Sequence, residues 1–498
     1  MTQVALLQSD SAQYSTQAPF HPDSEFPELI NAGIRATGSS NPGYRAIRET
    51  LALLGLDKHN FGTPRWNPLR AYIQPGDKVV LKPNLVLHEF GPQKNANCLT
   101  THGSIIRAAL DYVYLAVGRG GRITIADAPL QGADFSRVID DAGLPRIQQY
   151  YRDALQCDIA VLDLRQVHAV IDEDSSLIRR VERLSGDPRG YCEIDLGHES
   201  RLREIDATHP RYVVGDYDAA VTNSRHSGPR HSYVVSRSVL EADAVICLPK
   251  LKTHSKTGVT VCLKNTIGII GSKDCLPHHR QGKSRQGGDE FAADYPVRWW
   301  LSARAHDRLQ RRLPVPAWRF LRSMARTFLG AGTPHNGNGR RSSFYPSGGW
   351  HGNDTIWRTV DDLNRILFFY DPHRDDMQTE LRRKYFAMVD GIISMEGNGP
   401  LRGTPKSTGL VMAGDDPLAI DIAAATLMGF DWRRIRMLDG IAHSSPSCGY
   451  AVAMKDVSAM QLLSNIPAWR SLEGLIENAL AFHPPSGWRE FLEMHHVE

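Results

Sequence analysis

Apolar positions along the 498-residue chain fall into two spacings. Short runs that stop at Pro, Asn, Asp or Gly predict buried strands over Val4–Leu7, Lys78–Lys82, Arg122–Ala126, Asp158–Leu164, Ala244–Leu248, Lys384–Ser394 and Leu410–Ala413. Helical spacing predicts helices over Tyr44–Leu54, Ser104–Val117 and Pro417–Met428. It predicts another carrying Ile356, Val360, Leu363 and Ile366, capped by Asn353 or Asp354. Strand, helix and strand in succession over residues 78–126 imply parallel pairing. The expected fold is α/β: a mostly parallel central sheet with helices on both faces, plus a basic helical insert.

The rest of this pattern is organised around residues 242–271, ADAVICLPKLKTHSKTGVTVCLKNTIGIIG. Its strand ends at Pro249, and Lys250, Lys252 and Lys256 follow with Thr253, His254 and Thr257 among them. These read as a polar loop, and Gly258 as the opening of a helix that carries Thr260, Lys264 and Asn265. Free N–H groups at a helix start, joined by lysines, suit an anion. A solvated surface loop is the plainer alternative, but this loop is clamped between two apolar segments. In parallel sheets ligands bind beyond the carboxyl ends of the strands. Lys82-Pro83-Asn84, Asp127-Ala128-Pro129 and Lys250-Leu251-Lys252 all fall there.

The expected ligand-binding set is therefore Lys82, Asn84, Asp127, Lys250, Lys252, Thr253, Thr257, Lys264, Asn265 and Asn398. His254, Glu396 and Asp421 are the candidate catalytic groups, since a neutral-range imidazole and loop or buried carboxylates suit proton transfer. Asp390 and Glu396 are candidate ligands for Mg2+ or another divalent cation that would accompany a phosphate. Lys252 or Lys264 as a Schiff-base lysine is the less common use of such a residue. No Walker A loop, G-x-S-x-G elbow or H-E-x-x-H motif occurs. His226 and His231 read as solvated histidines.

The same residues carry a resemblance. LPKLKTH followed by TGVTVCLKNTIGIIG resembles the signature of the domain-of-unknown-function 362 family. VVLKPNLV (Val79–Val86), VDGIISMEGNGPLRGTP (Val389–Pro405) and AGDDPLAIDIAAATLMG (Ala413–Gly429) are similar to its other motifs, so the likeness spans Tyr44 to Asp439. The resemblance implies an α/β fold and an activity largely unassigned. Some members carry ferredoxin-type iron–sulfur segments, which would imply a redox role.

Cysteine usage changes that last expectation. The seven cysteines include no C-x-x-C pair and no ferredoxin spacing, so no iron–sulfur cluster is expected and reduced thiols fit best. A net charge of +3 does not suggest a dedicated nucleic-acid binder. The charge is uneven: Lys273 to Arg341 holds 14 Lys and Arg against 5 Asp and Glu. Within it, Trp318, Leu321, Ala325 and Phe328 follow helical spacing beside Arg319, Arg322 and Arg326. Residues 296–329 are thus expected either to touch an anionic membrane surface or to dock on the core. The N-terminus lacks the pattern of a secretory signal. The expected location is the cytoplasm, with peripheral contact at the inner membrane face.

These observations divide the chain into a wrapping segment (1–43), a first core part (44–271), the insert (272–345), a second core part (346–439) and a helical cap (440–498). The expected function is binding or turnover of an anionic, phosphorylated small molecule, lipid- or sugar-linked forms included. A redox role and a non-catalytic binding module are the alternatives.

Overall fold

The computed structural model describes residues 2–88, 96–171, 178–208, 211–214, 219–293, 347–443, 457–489 and 491–492. The amphipathic segment 296–329 lies outside them. The central sheet has ten strands. They are β1 (Gln3–Gln8), β2 (Lys78–Pro83), β3 (Arg122–Asp127), β4 (Ile159–Asp163), β5 (Ala244–Leu248), β6 (Lys250–His254), β7 (Gly258–Thr260), β8 (Lys384–Asn398), β9 (Arg402–Gly414) and β10 (Gln461–Ser464). Their order is β10-β1-β9-β8-β5-β2-β3-β4, with β6 on β8 and β7 on β6. From β8 through β5, β2 and β3 to β4 every pair is parallel. β9 runs against both its neighbours.

Alternating side chains build a core on each face of this sheet. Val79 and Leu81 of β2, with Ala244, Ile246 and Leu248 of β5, pack toward helices α1 (Pro42–Leu53), α2 (Gly103–Val117) and α3 (Leu144–Leu155). Val80, Val245 and Cys247 point the other way, toward α4 (Ile356–Phe369) and α5 (Pro417–Leu427). Burial on both faces is why these strands read as continuous apolar runs rather than as alternating ones. Helix ends follow the capping expectation. Asn353 accepts from the N–H groups of Thr355 and Ile356, and Asp416 from those of Leu418 and Ala419.

Connectivity places the site. β2, β3 and β4 step outward in one direction, and the chain then returns to the other side of β2 with β5 and β8. β2 and β5 therefore flank the switch point, the place at which ligands bind in open α/β sheets.

Several expectations change. Lys250–His254 is strand β6 rather than a loop. β8 outlasts β5, and its far half offers backbone groups that β6 pairs, Lys250 opposite Asp390 and Lys252 opposite Met395. Satisfying that backbone outweighs the loop-like composition. Gly258, at φ +80°, turns the chain into β7, and the helix begins only at Cys262 and lasts four residues. His226 and His231 are buried, not solvated: His226 contacts the Cys275 carbonyl at 2.9 Å and His231 the Asp206 carboxylate at 2.8 Å. The C-terminal region supplies edge strand β10 and one short helix, Leu472–Glu477, before an extended segment.

Candidate functional site

Two buried networks frame this switch point. In the first, Lys82 at the end of β2 gives all three of its protons to internal acceptors. It meets Asp127 Oδ1 at 2.7 Å, Asn265 Oδ1 at 2.6 Å and the Pro83 carbonyl at 2.9 Å. Asp127 also accepts the Leu85 N–H at 2.6 Å. Asn84 accepts the Lys250 N–H at 2.8 Å, and its own N–H donates to Thr101 Oγ1. This ties the ends of β2, β3 and β5 into one rigid edge.

The second network is built on Lys250. Its ammonium lies 3.0 Å from Asp390 and 2.6 Å from the Tyr14 hydroxyl, which itself donates to Asp390. The His102 N–H adds a third donor to that carboxylate at 2.9 Å, and the His102 ring stacks on Tyr14. Burial lowers the His102 imidazole to about 4, so it is neutral here.

Beyond these networks stand three lysines with no ion pair to a carboxylate among the described residues. Lys252, 1% exposed, donates only to the Leu99 carbonyl at 2.9 Å among the described residues. Lys264, 9% exposed, has no hydrogen bond or ion pair with any described residue. Lys273 donates to the Ile267 carbonyl at 3.1 Å. Burial holds all three ammonium groups well below their usual value, to about 7. For Lys264 the neighbouring charges are Lys273, Lys252 and Lys256, and all push the same way.

His254 belongs to the same group. Its Nδ1 accepts the N–H groups of Lys256 and Thr257 at 3.0 and 3.2 Å, so the neutral ring carries its proton on Nε2. Burial and the lysines 264, 252 and 256 suppress the charged form. Thr260, paired opposite Lys252, has a buried hydroxyl with no partner among the described residues. The surroundings thus present ammonium groups, an imidazole N–H and a hydroxyl with little negative charge to answer them. Such a constellation can hold an anion and neutralise its charge.

Residues 190–426 match the sequence model of the family described as Domain of unknown function (DUF362). Over these residues the chain is similar to that family. A thylakoid-associated protein of Synechocystis sp. is 21% identical over 360 residues, which is 72% of this chain and 65% of that protein. The chain therefore spans somewhat less than two thirds of that relative's length. No solved structure matches.

Within the matched residues Asp421 and Glu396, expected to join the lysines, are engaged elsewhere. Asp421 accepts the N–H groups of Cys262 and Leu263 at 2.7 and 3.1 Å, and so occupies the helix start that had been assigned to the ligand. Burial raises its carboxyl to about 8. Glu396 pairs with Lys406 at 3.1 Å and accepts the His483 N–H at 3.0 Å. Asn398 accepts from the N–H and hydroxyl of Ser486 at 2.8 and 2.7 Å. Both clasp the extended C-terminal segment, whose Trp488 donates to the Ser255 carbonyl at 2.7 Å. Thr253 and Thr257 give their hydroxyls to the Gly397 and Val259 carbonyls. Asp390 and Glu396, the candidate metal ligands, have separate partner sets. Among the described residues no group of three His, Cys, Asp or Glu is placed to hold a metal ion.

The fold brings Lys82, Asn84, Lys250, Lys252 and Lys264 to one edge of the sheet, the last three of them within the matched residues. Tyr14, His102 and Lys273 were missed. Tyr14 lies in a stretch with no periodicity, and Lys273 was counted with the insert. The apolar run ending at Ile270-Gly271, two residues earlier, was the available signal for Lys273.

Proposed function

We propose that this protein binds a small phosphorylated anion at the carboxyl edge of β2, β5 and β6. Lys252, Lys264 and Lys273 supply the charge, and His254 Nε2 and Thr260 supply neutral donors. The observation that carries this reading is Lys264: a lysine nine-tenths buried, whose charged neighbours among the described residues are cations. Burying an unanswered charge is costly, so a fold that keeps one in place gains when an anion arrives. Lys82, Asn84, Asp127, Asn265, Thr253 and Thr257 act in this reading as scaffold rather than as direct ligands. A divalent cation, where one takes part, enters with the phosphate.

The test is thermal denaturation of the full chain in phosphate-free buffer, with orthophosphate or pyrophosphate added, with and without magnesium. A rise in Tm that is abolished in Lys264→Met supports the reading. No shift with either anion, in a protein that melts cooperatively, overturns it.

A second reading concerns location. The relative's name places that protein at thylakoids, and the basic, aromatic sequence of 296–329 suits the surface of an anionic membrane. Among the described residues no helix is long and apolar enough to cross a membrane. Flotation with anionic vesicles, compared with a chain lacking 296–329, tests peripheral association. Equal flotation of the two refutes it.

A further inference from the structure

We infer that Trp488 is a positioning residue for the anion site: the C-terminal segment docks from outside on the turn between β6 and β7 and holds the shape that fixes His254. The inference rests on the anion-site reading above and adds a distant part of the chain to it.

The two strands give this turn little support. β7 has three residues and pairs in the sheet with β6 alone. Inside the turn the N–H groups of Lys256 and Thr257 go to His254 Nδ1, and the Thr257 hydroxyl to the Val259 carbonyl at 2.9 Å. That leaves the backbone of Ser255. Its N–H donates to the Gly399 carbonyl at 2.9 Å, and its carbonyl accepts the Trp488 indole N–H at 2.7 Å. One partner comes from the tip between β8 and β9, the other from 233 residues further along the chain. Enclosed backbone groups have to find partners, and here the indole supplies one. Its ring also packs. Gly258 closes the turn at φ +80°, and a Cβ there would lie 3.3 Å from both Trp488 and Ile435. Trp488 is 1% exposed, so the ring is clamped on the turn rather than laid on the surface.

The segment that delivers Trp488 is itself held at successive points. The N–H groups of Leu480 and Phe482 donate to the Leu427 and Met428 carbonyls at 2.7 and 2.9 Å. The His483 carbonyl accepts the Gly397 N–H at 2.7 Å, and the Gly487 carbonyl accepts the His351 N–H at 3.2 Å. Ser486 donates to Asn398 between them. The β8–β9 tip therefore works on two sides. Its Gly397 and Gly399 carbonyls take the Thr253 hydroxyl and the Ser255 N–H. Its Glu396 and Asn398 side chains take the C-terminal segment. The loop that reads in sequence as a ligand loop is a clasp joining the C-terminal segment to β6.

Releasing Trp488 frees Ser255, and with it the two N–H groups aimed at His254 Nδ1. The imidazole then loses the fixed direction of its Nε2–H, the donor offered to the anion. A donor oriented before the ligand arrives lowers the ordering cost of binding, so affinity should depend on the docked indole.

The experiment uses the full chain. Trp488→Phe keeps an aromatic ring against Gly258 and removes the indole N–H. Hydrogen–deuterium exchange without ligand reads the turn, and calorimetry with orthophosphate and with pyrophosphate reads the site. Exchange at residues 255–258 should quicken at least about tenfold while peptides of β2 and β5 keep their wild-type rates. Affinity for both anions should fall at least about fivefold. In Trp488→Ala, added indole should restore slow exchange and affinity, whereas benzothiophene, of similar shape but without an N–H, should restore less of both. Wild-type exchange at 255–258 in Trp488→Phe, or faster exchange with unchanged affinity, overturns the positioning role and leaves the anion site standing. Faster exchange spread evenly over all peptides overturns it too, since Trp488 then only stabilises the fold. If neither anion binds the wild-type chain, the anion site falls and the positioning role with it.

Discussion

Lys250 and Asp390 face each other across paired strands, ammonium to carboxylate at 3.0 Å, with neither side chain exposed. Two residues on, Lys252 is equally enclosed and among the described residues donates only to a carbonyl. The contrast separates a lysine that holds the fold from one that is left for a ligand. Removing the acid should be costly. Asp390→Ala strands a buried ammonium and leaves the Tyr14 hydroxyl and the His102 N–H without their acceptor, an expected loss of about 3–5 kcal/mol. The double change Lys250→Met with Asp390→Leu removes both charges and should cost clearly less. Urea denaturation of the two variants checks this. If the single change costs no more than the double, the pair contributes nothing specific.

The pH dependence of stability follows from the unanswered lysines. Lys252, Lys264 and Lys273 titrate near 7 in the folded chain and near their usual 10.5 when unfolded. Between these values the unfolded chain binds more protons, so stability rises with pH across the window. Below about pH 7 both forms are protonated and the destabilisation is present in full. The ligand-free protein should therefore melt higher at pH 9 than at pH 7, and Lys264→Met should show a shallower rise. Saturating pyrophosphate should flatten the wild-type curve, because bound anion restores the lysines toward their ordinary value. A ligand-free melting temperature that falls from pH 7 to 9 contradicts the assignment of these lysines as unanswered charges.

Much of the fold was legible because its strands are buried on both faces. Lys78–Pro83, Arg122–Asp127 and Ala244–Leu248 each read as an apolar run stopped by a polar or proline residue, and each lies within a residue of its expected place. Strand β6 was not legible. Its sequence, Lys-Leu-Lys-Thr-His, has a polar composition, and only the far half of β8, more than a hundred residues later, makes it a strand. Lys82, Lys250 and Lys252 were singled out by their position at strand ends. Their partners were not, since a pairing such as Tyr14 with Asp390 spans 376 residues and leaves no local trace. The carboxylates were the least legible part. Asp421 and Glu396 look the same in sequence whether they face a ligand or a backbone N–H, and here both take backbone N–H groups.

Glu396 yields a prediction that separates those two roles. Its carboxylate is joined to Lys406 and to the backbone of His483. Glu396→Gln keeps an acceptor for the His483 N–H and loses the ion pair, one of whose members is partly exposed. The expected cost is at most about 1 kcal/mol, with pyrophosphate affinity unchanged. Calorimetry with pyrophosphate beside a denaturation curve measures both. An affinity loss of tenfold or more at unchanged stability would return Glu396 to the site.

Gly268 is where the backbone comes closest to the Lys82 network. A Cβ added there would lie 2.0 Å from Asp127 Oδ1 and 2.4 Å from Lys82 Nζ. Side-chain ends at a surface move aside cheaply, but these two cannot. Lys82 is fixed by Asp127, Asn265 and the Pro83 carbonyl, and Asp127 by the Leu85 N–H. The Gly268 carbonyl also accepts the Ala128 N–H at 2.8 Å, so the backbone is held from the opposite side. Gly268→Ala therefore has to break the Lys82–Asp127 contact or shift the strand ends. Overpacking of this kind costs about 1–3 kcal/mol. A second consequence reaches the ligand. Asp127 lies near Lys252 and Lys273, and once displaced from Lys82 its carboxylate is free to turn toward them. It would then compete with an incoming phosphate, so pyrophosphate affinity should fall together with stability. Asp127→Asn in the Gly268→Ala background removes the competing charge and should recover part of the affinity without recovering the stability. Should Gly268→Ala melt and bind like wild type, the rigidity assigned to the Lys82 network is wrong.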